Sequence, residues 1–395
     1  MKVIHKHLQR VLRPGWHRIF KDPRGKTGRW SIGDILTPVM KGMLGGARNL
    51  RQLELLTSLG GRRLPDTTAW DVLVKLDATP LNEEIARGVK EAARSHELDT
   101  KELPFYLVAI DGKSVSVNTR AVNSQSVNRS QKGSKKFVNM VFRALITSSS
   151  LKLLMGQHMI PRGTNERGAL PAFIDQLIEL YGRTKLLQVI SVDAGVTSKK
   201  NAKYLSERGI GYIMALKNQR CSRMTQEAVR LFADSKPLRV ECEHCNGKHI
   251  TRSVYRSEAP SVSGWESAKE VWRIDSEVQH SNGNVVMETR YFVTSLPNAR
   301  LSDRQVLHAV RLHWGIENNA NWVLDTAWQE DDNPWCNKAL ELMTLLRVLA
   351  FNIIARLKFR RLRAVVTRTL PWRSLLELIQ RVLFPIKTQE LATIL

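Results

Sequence analysis

The chain has 395 residues, of which 43% are hydrophobic and 25% are charged. At roughly 150 residues per domain this length predicts two or three structural units with a sizeable core, which excludes a small disulfide-stapled scaffold and a wholly disordered chain. Lys and Arg number 61 against 37 Asp and Glu, and the resulting net charge of +24 indicates a polyanionic partner.

The first hundred residues have a helical pattern. From Ser31 to about Ser95, apolar residues recur at three- and four-residue steps, as at Leu36, Val39 and Met43. Residues 1–100 are therefore predicted to form an all-helical N-terminal domain.

The pattern changes at Pro104, where strands begin to alternate with helices. The apolar run 105–110 is typical of a strand buried on both faces, and it ends at Asp111-Gly112. The elements expected after it are strands at about 137–147 and 151–159, a helix at 170–181, a strand at 186–192, a helix at 199–208 and a strand at 212–216. This order predicts an α/β unit over residues 101–218.

The rest of the chain divides into three parts. Residues 219–298 alternate short β segments with Ser, Gly and Asn turns, which indicates a β-rich insertion without a long helix. In residues 299–360, a capping-box sequence at Ser302 predicts a helix that runs to about Trp328, and a nearly all-apolar helix follows. Residues 361–395 form a basic C-terminal tail.

Two carboxylates stand where a strand ends. Asp111 and Asp193 are each the first charged residue after a run too apolar to face solvent. At the carboxyl edge of a sheet such groups either form turns or bind a cation, and Mg²⁺ prefers carboxylates. Because Asp-Gly is also a strong hairpin-turn signal, the turn interpretation of Asp111 stays open.

The helix expected from residue 303 offers a third carboxylate. His313, Glu317, Asn321 and Asp325 follow one another at four-residue steps and form a polar stripe beside the apolar face. Glu317 can therefore reach the sheet edge, although a solvated helix charge is the commoner fate of a single Glu. Three such carboxylates are the ligand type with which two metal ions cleave a phosphodiester.

Five short segments of the chain resemble, in order, motifs of bacterial insertion-sequence transposases of the H-repeat-associated DDE group. They are 109–113 (Ala-Ile-Asp-Gly-Lys), 192–194 (Val-Asp-Ala), 212–219, 290–296, and 313–318 with 322–325. The match is spread over about 105–355.

The resemblance implies an α/β fold with an RNase H-like catalytic core, a mixed five-stranded sheet with helices, which a β-rich insertion interrupts. It implies that Asp111, Asp193 and Glu317 bind two Mg²⁺ or Mn²⁺ ions and cleave DNA at the ends of an insertion sequence before strand transfer into target DNA. The implied partners are double-stranded DNA and a second copy of the chain, with no small-molecule substrate, and the N-terminal domain is expected to bind the element ends.

Several basic or aromatic residues are candidates for DNA contact. The polar stretch 118–136 is predicted to be an exposed loop near the cut, with the alternative that it is merely solvated. Its candidates are Arg120, Arg129, Lys132, Lys135 and Lys136. Those near the carboxylates are Lys113, Arg311, His313 and Trp314, of which the Trp has the alternative of simple packing.

Half of a zinc-binding pattern occurs in the predicted insertion. Cys242, His244, Cys245 and His249 have suitable spacing, but Cys221 and Cys336 are isolated and supply no second pair. We therefore do not expect zinc.

No run reaches the ~18 apolar residues of a membrane span, and no signal-peptide pattern follows the basic N-terminus. We expect a cytoplasmic, nucleoid-associated bacterial protein with no membrane partner. Two alternative functions remain open: a metal-dependent nuclease without strand transfer, and a non-catalytic DNA-binding protein derived from a transposase.

Overall fold

The computed structural model describes residues 8, 15–25, 29–117, 127–131, 134–217, 222–332, 337–360 and 369–385. Every described element before residue 100 is a helix. These helices are α1 (Trp16–Ile19), α2 (Ile32–Leu44), α3 (Leu50–Leu59), α4 (Asp66–Leu73) and α5 (Thr79–Arg94). Helix α2 begins with a capping box, in which the Ser31 hydroxyl accepts from the Asp34 amide and the Asp34 carboxylate accepts from the Ser31 amide.

One mixed sheet of ten strands dominates the described structure. Its strands are β1 (Leu107–Val117), β2 (Val127–Gln131), β3 (Ser134–Ile146), β4 (Leu154–Ile160), β5 (Val189–Val192), β6 (Gly211–Ala215), β7 (Arg239–Cys245), β8 (Lys248–Glu258), β9 (Glu270–Gln279) and β10 (Val285–Thr294). The order across the sheet is β2-β3-β1-β5-β6-β10-β9-β8-β7, and β4 also pairs with β3.

The first half of this sheet is a mixed unit of five strands in the order β4-β3-β1-β5-β6. Strand β5 runs parallel to both β1 and β6, whereas β3 runs antiparallel to β1 and β4. The later strands do not form a separate unit, because β10 pairs with β6 and extends the same sheet. The predicted five-stranded sheet is therefore only one part of a larger one.

The remaining helices flank the sheet. They are α6 (Glu166–Tyr181), α7 (Lys199–Glu207), α8 (Arg223–Leu231), α9 (Asp303–His313), α10 (Trp322–Trp328), α11 (Asn337–Arg360) and α12 (Trp372–Leu383). A 3₁₀ turn occupies Asn298–Arg300, and a π-helical segment, Glu317–Asn321, precedes α10.

Four sequence expectations need correction. Strand β1 does not end at Asp111 but continues to Val117, because the residues after it keep pairing with β3. The stretch 118–136 is not all loop, since it contains β2 and the start of β3. The insertion begins with a helix, α8, and the helix expected from 303 to 328 is interrupted after His313.

The apolar helix α11 joins the N-terminal helices to the sheet. It packs against α2, α5 and β4, and the amide of Asn352 bonds both the main-chain N–H and C=O of Leu154, at 2.9 and 2.8 Å. The buried Trp328 indole donates to the Met43 carbonyl at 2.7 Å. These elements therefore share one hydrophobic core. No helix in the described part of the chain is long and apolar enough to cross a membrane.

Candidate active site

The two aspartates lie at matching positions of neighbouring strands, Asp111 within β1 and Asp193 directly after β5. In the parallel pair β1–β5, Ile110 is opposite Val192, so Asp111 and Asp193 follow at matching positions. The main-chain N–H of Val196 donates to Asp193 Oδ1 at 3.0 Å, which fixes this carboxylate in the turn after β5. The sheet thus brings together two acids that are far apart in the sequence.

A third acid, Glu166, lies close to both, and it was not among the predicted site residues. Glu166 is the first residue of α6, after the N-cap Asn165. A Cβ atom on Gly112 would stand 2.6 Å from Glu166 Cδ, and one on Gly195 would stand 3.5 Å from Glu166 Oε2 and 3.1 Å from Asp193 Oδ2. The helix was expected to begin at Leu170, which left Glu166 in a loop; an Asn-Glu pair four residues earlier is the cap signal that could have located it.

Negative charge is concentrated around Asp111. Burial raises the pKa of Asp111 from 3.8 to about 7, and the charges of Asp193, Glu166 and Glu317 add to the rise, in that order. A hydrogen bond from the Gly112 N–H opposes the rise but does not cancel it. A partly buried group of like charges is a place where a divalent cation relieves repulsion.

The polar stripe that begins at His313 and ends at Asp325 faces β1 and β5. The His313 ring nitrogen Nδ1 lies 3.1 Å from Ser191 Oγ on β5, and the Asn321 amide donates to Asp111 Oδ2 at 3.2 Å. Further along, Asp325 pairs with Lys113 on β1. Glu317 belongs to the same stripe, is exposed, and acts electrostatically on Asp111.

The buried side chain of Arg143 is linked to Asp111 through Asn321. Arg143 lies opposite Asp111 in the β1–β3 pair, has a fully buried side chain, and donates to Asn321 Oδ1 at 3.3 Å and to Glu330 Oε1 at 2.8 Å. Because the same Asn321 donates to Asp111, a continuous hydrogen-bonded chain runs from the core to the carboxylate.

His313 is held in its neutral form. Burial lowers its pKa to about 4; the nearby charge of Asp193 opposes this, and that of Arg290 adds to it. At neutral pH the ring therefore adds no positive charge beside the carboxylates.

The donor set and the space between strands suit a divalent metal. Carboxylate oxygens are the ligands that Mg²⁺ and Mn²⁺ prefer, and the missing Cβ atoms of Gly112 and Gly195 leave room for the carboxyl groups of Glu166 and Asp193. Among the residues that the structure describes, no three His, Cys, Asp or Glu side chains already stand at metal-binding spacing. A metal site here therefore requires side-chain movement, for which the exposed Glu317 has room.

Three candidates for DNA contact are engaged within the protein. Lys113 forms ion pairs with Asp325 and with Asp331, the latter at 3.1 Å. Arg311 pairs with Glu243 on β7 at 3.2 Å.

The third, Trp314, is partly buried, and the Arg290 guanidinium lies 4.1 Å from its ring centroid. Arg120 and Lys132 lie outside the described residues. For Arg129, Lys135 and Lys136 only the backbone, in β2 and β3, is described. Their contact with DNA remains a prediction.

The Cys and His pairs of the insertion lie on the β7–β8 hairpin. His244 is opposite His249, with ring centroids 4.5 Å apart. Cys242 and Cys245 are exposed free thiols. Since they are three residues apart on one strand, their side chains point to opposite faces.

The sequence of this chain is similar to a known domain family and to several known proteins. The model of the transposase DDE domain family matches residues 103–353. The H repeat-associated protein YhhI of Escherichia coli strain K12 is 25% identical over 276 residues, covering 66% of this chain and 65% of YhhI. YbfL of the same strain is 26% identical over 265 residues, covering 63% of this chain and 64% of YbfL. The chain thus spans just under two thirds of the length of these relatives.

Two more distant similarities cover more of the chain. YncI of Escherichia coli O157:H7 is 22% identical over 358 residues, 82% of either protein. A cryo-EM structure of the piggyBac transposase synaptic complex with hairpin DNA aligns with a TM-score of 0.48 and 11% identity, covering 100% of this chain and 82% of that one. The family match and the similarity to YhhI confirm the resemblance found in the motifs.

Proposed function

Because the model of the transposase DDE domain family matches residues 103–353, the chain belongs to that family, and we propose that it is an active, metal-dependent DNA transposase. The reaction proposed is cleavage of a phosphodiester at the end of an insertion sequence, followed by attack of the freed 3′-hydroxyl on target DNA. The observation that supports the proposal is the matched placement of Asp111 in β1 and Asp193 directly after the parallel strand β5, with Asn321 of the Glu317 stripe bonded to Asp111.

Asp111, Asp193 and Glu317 would hold the two Mg²⁺ or Mn²⁺ ions. When bound, such a pair of cations supplies activation of the attacking oxygen and stabilisation of the leaving oxygen of a phosphodiester. The site offers carboxylate donors, which have room beside Gly112 and Gly195.

The other residues of the site orient these ligands. Asn321 fixes Asp111 through one amide hydrogen while Arg143 holds the amide oxygen of Asn321. The Val196 N–H fixes Asp193, and the neutral ring of His313 fills the space beside Ser191 without adding charge. Such support from neighbouring groups sets ligand geometry and metal affinity.

We propose an RNase H-like core for the five strands β4-β3-β1-β5-β6 with their helices, extended rather than interrupted by the insertion. Double-stranded DNA is the proposed partner, because a net charge of +24 suits phosphate binding. The N-terminal helices are proposed to bind the element ends, and two copies of the chain to bring two ends together.

The test is an assay with the purified protein, a plasmid carrying the DNA segments on either side of its gene, and Mn²⁺ or Mg²⁺. We expect nicked ends followed by joined products, and loss of both with Asp111→Asn or Asp193→Asn. The control is Asp71→Asn, which changes an exposed carboxylate on α4. Cleavage without joined products would indicate the nuclease, and binding without any cleavage would indicate the non-catalytic DNA-binding protein.

A further inference from the structure

Glu166 reaches both strands that carry the aspartates. Its carboxyl group lies against Gly112, the residue after Asp111, and its Oε2 lies near Gly195, two residues after Asp193. The position that a Cβ atom of Gly195 would occupy is 3.5 Å from Glu166 Oε2 and 3.1 Å from Asp193 Oδ2. One side chain from α6 therefore reaches both the part of β1 next to Asp111 and the turn that holds Asp193.

The lack of a side chain at Gly112 and at Gly195 leaves room for the acids. Neither Gly112 nor Gly195 has a positive φ, so the backbone does not require glycine at these positions. A Cβ atom on Gly112 would clash with the Glu166 side chain, because it would stand 2.6 Å from Cδ and 3.0 Å from Cγ of Glu166. Glycine at position 112 thus leaves room for the Glu166 carboxyl group in the position that it takes here.

The contacts of Glu166 go beyond those of an ordinary first-turn Glu. An acid at a helix N-terminus stabilises the helix through the exposed N–H groups and the dipole of that helix. That role needs no contact with another strand, yet Glu166 extends across to β1 and β5 and adds to the negative charge that acts on Asp111.

We propose that Glu166 is a fourth carboxylate ligand of the divalent-cation site, which lies beside Asp111 on β1 and the turn that follows β5. This inference rests on the proposed function, because it assumes that Asp111, Asp193 and Glu317 hold two cations.

The test measures metal binding directly, with Mn²⁺ as the probe. Free Mn²⁺ is followed by electron paramagnetic resonance as it is titrated into the full-length protein without DNA. Glu166→Gln should weaken Mn²⁺ binding by about tenfold or more, the size of effect seen when groups that tune a metal site are lost. Glu166→Asp keeps a carboxylate and should lose less. Glu179→Gln, an exposed position on the same helix, should bind Mn²⁺ as the wild type does.

A second variant tests the geometry without touching Glu166. Gly112→Ala places a Cβ atom against the Glu166 carboxyl group and should weaken Mn²⁺ binding to a similar degree. In the double variant the two losses should not add, because both act on one ligand. Thermal melting of each variant with a chelator separates a folding defect from a loss of metal affinity.

Wild-type Mn²⁺ affinity in the folded Glu166→Gln variant would overturn the inference. The same Mn²⁺ titration on Asp111→Asn distinguishes a failure of the fourth ligand from a failure of the metal site as a whole. If Asp111→Asn loses Mn²⁺ and Glu166→Gln does not, only the fourth ligand is wrong. If Asp111→Asn also binds Mn²⁺ as the wild type does, the proposed metal site itself fails.

Discussion

Replacing Asp111 by Asn should stabilise the metal-free protein above pH 7. Burial, Asp193, Glu166 and Glu317 raise the pKa of this carboxyl from 3.8 to about 7. A rise of this size corresponds to about 4 kcal/mol of folding free energy lost when the group ionises in the folded state. Asn has a similar shape, still accepts the Asn321 hydrogen bond, and carries no charge at any pH.

The stability gained by Asp111→Asn should depend on pH, in a direction set by the raised pKa of Asp111. Because the pKa of Asp111 is higher in the folded protein than in the unfolded chain, its contribution to stability is fully present below about pH 3.8 and is lost as the pH rises through about 7. The difference between Asp111→Asn and the wild type should therefore be small near pH 4 and grow to about 4 kcal/mol above pH 7.

Urea unfolding with a chelator, followed by circular dichroism at several pH values, measures this difference. The control is again Asp71→Asn, an exposed change expected to stay within about 0.5 kcal/mol at every pH. Equal stability of wild type and Asp111→Asn at pH 8, or a difference that does not change with pH, would refute the electrostatic argument. Added Mn²⁺ should stabilise the wild type and narrow the gap.

Three further outcomes are expected. Glu330→Gln should lower the free energy of unfolding by about 3–5 kcal/mol in urea titrations, because it leaves the buried cations Arg143 and Arg347 without their shared carboxylate. His313, with a pKa of about 4, should show no charge change above about pH 5 when its ring protons are followed by NMR. Mn²⁺ affinity, measured by titration, should rise with pH up to about 7, since Asp111 must lose its proton to bind a cation.

Local patterns were enough to find the two aspartates. Each follows an apolar run that predicts a buried strand, and parallel neighbours place such residues at one edge of the sheet. The helix that carries Glu166 was also predicted, but its start was set four residues too late. Helix ends depend on caps and fray, so they are the weakest part of a sequence-based assignment.

The extent of the sheet could not be read from the sequence. The strands of the insertion were expected, but their pairing partner was not, because pairing between strands is not local in sequence. Strand β10 meets β6 at Phe292, opposite Ala215, across more than seventy positions. Nor does the sequence show that β1 continues past Asp111, since Asp-Gly favours a turn until pairing with β3 overrides it.

The π-helical segment explains how the polar stripe from His313 to Asp325 contacts both β5 and β1. In a regular α-helix each four-residue step overshoots a full turn by about 40°, so His313 and Asp325, three steps apart, would differ by about 120° and could not face the same sheet edge. The π segment Glu317–Asn321 contains more residues per turn and reduces this drift. His313 accordingly contacts β5 while Asn321 and Asp325 contact β1. In a straight helix Asp325 would turn away from Lys113 while His313 contacts β5, so the irregularity lets the whole stripe contact both strands.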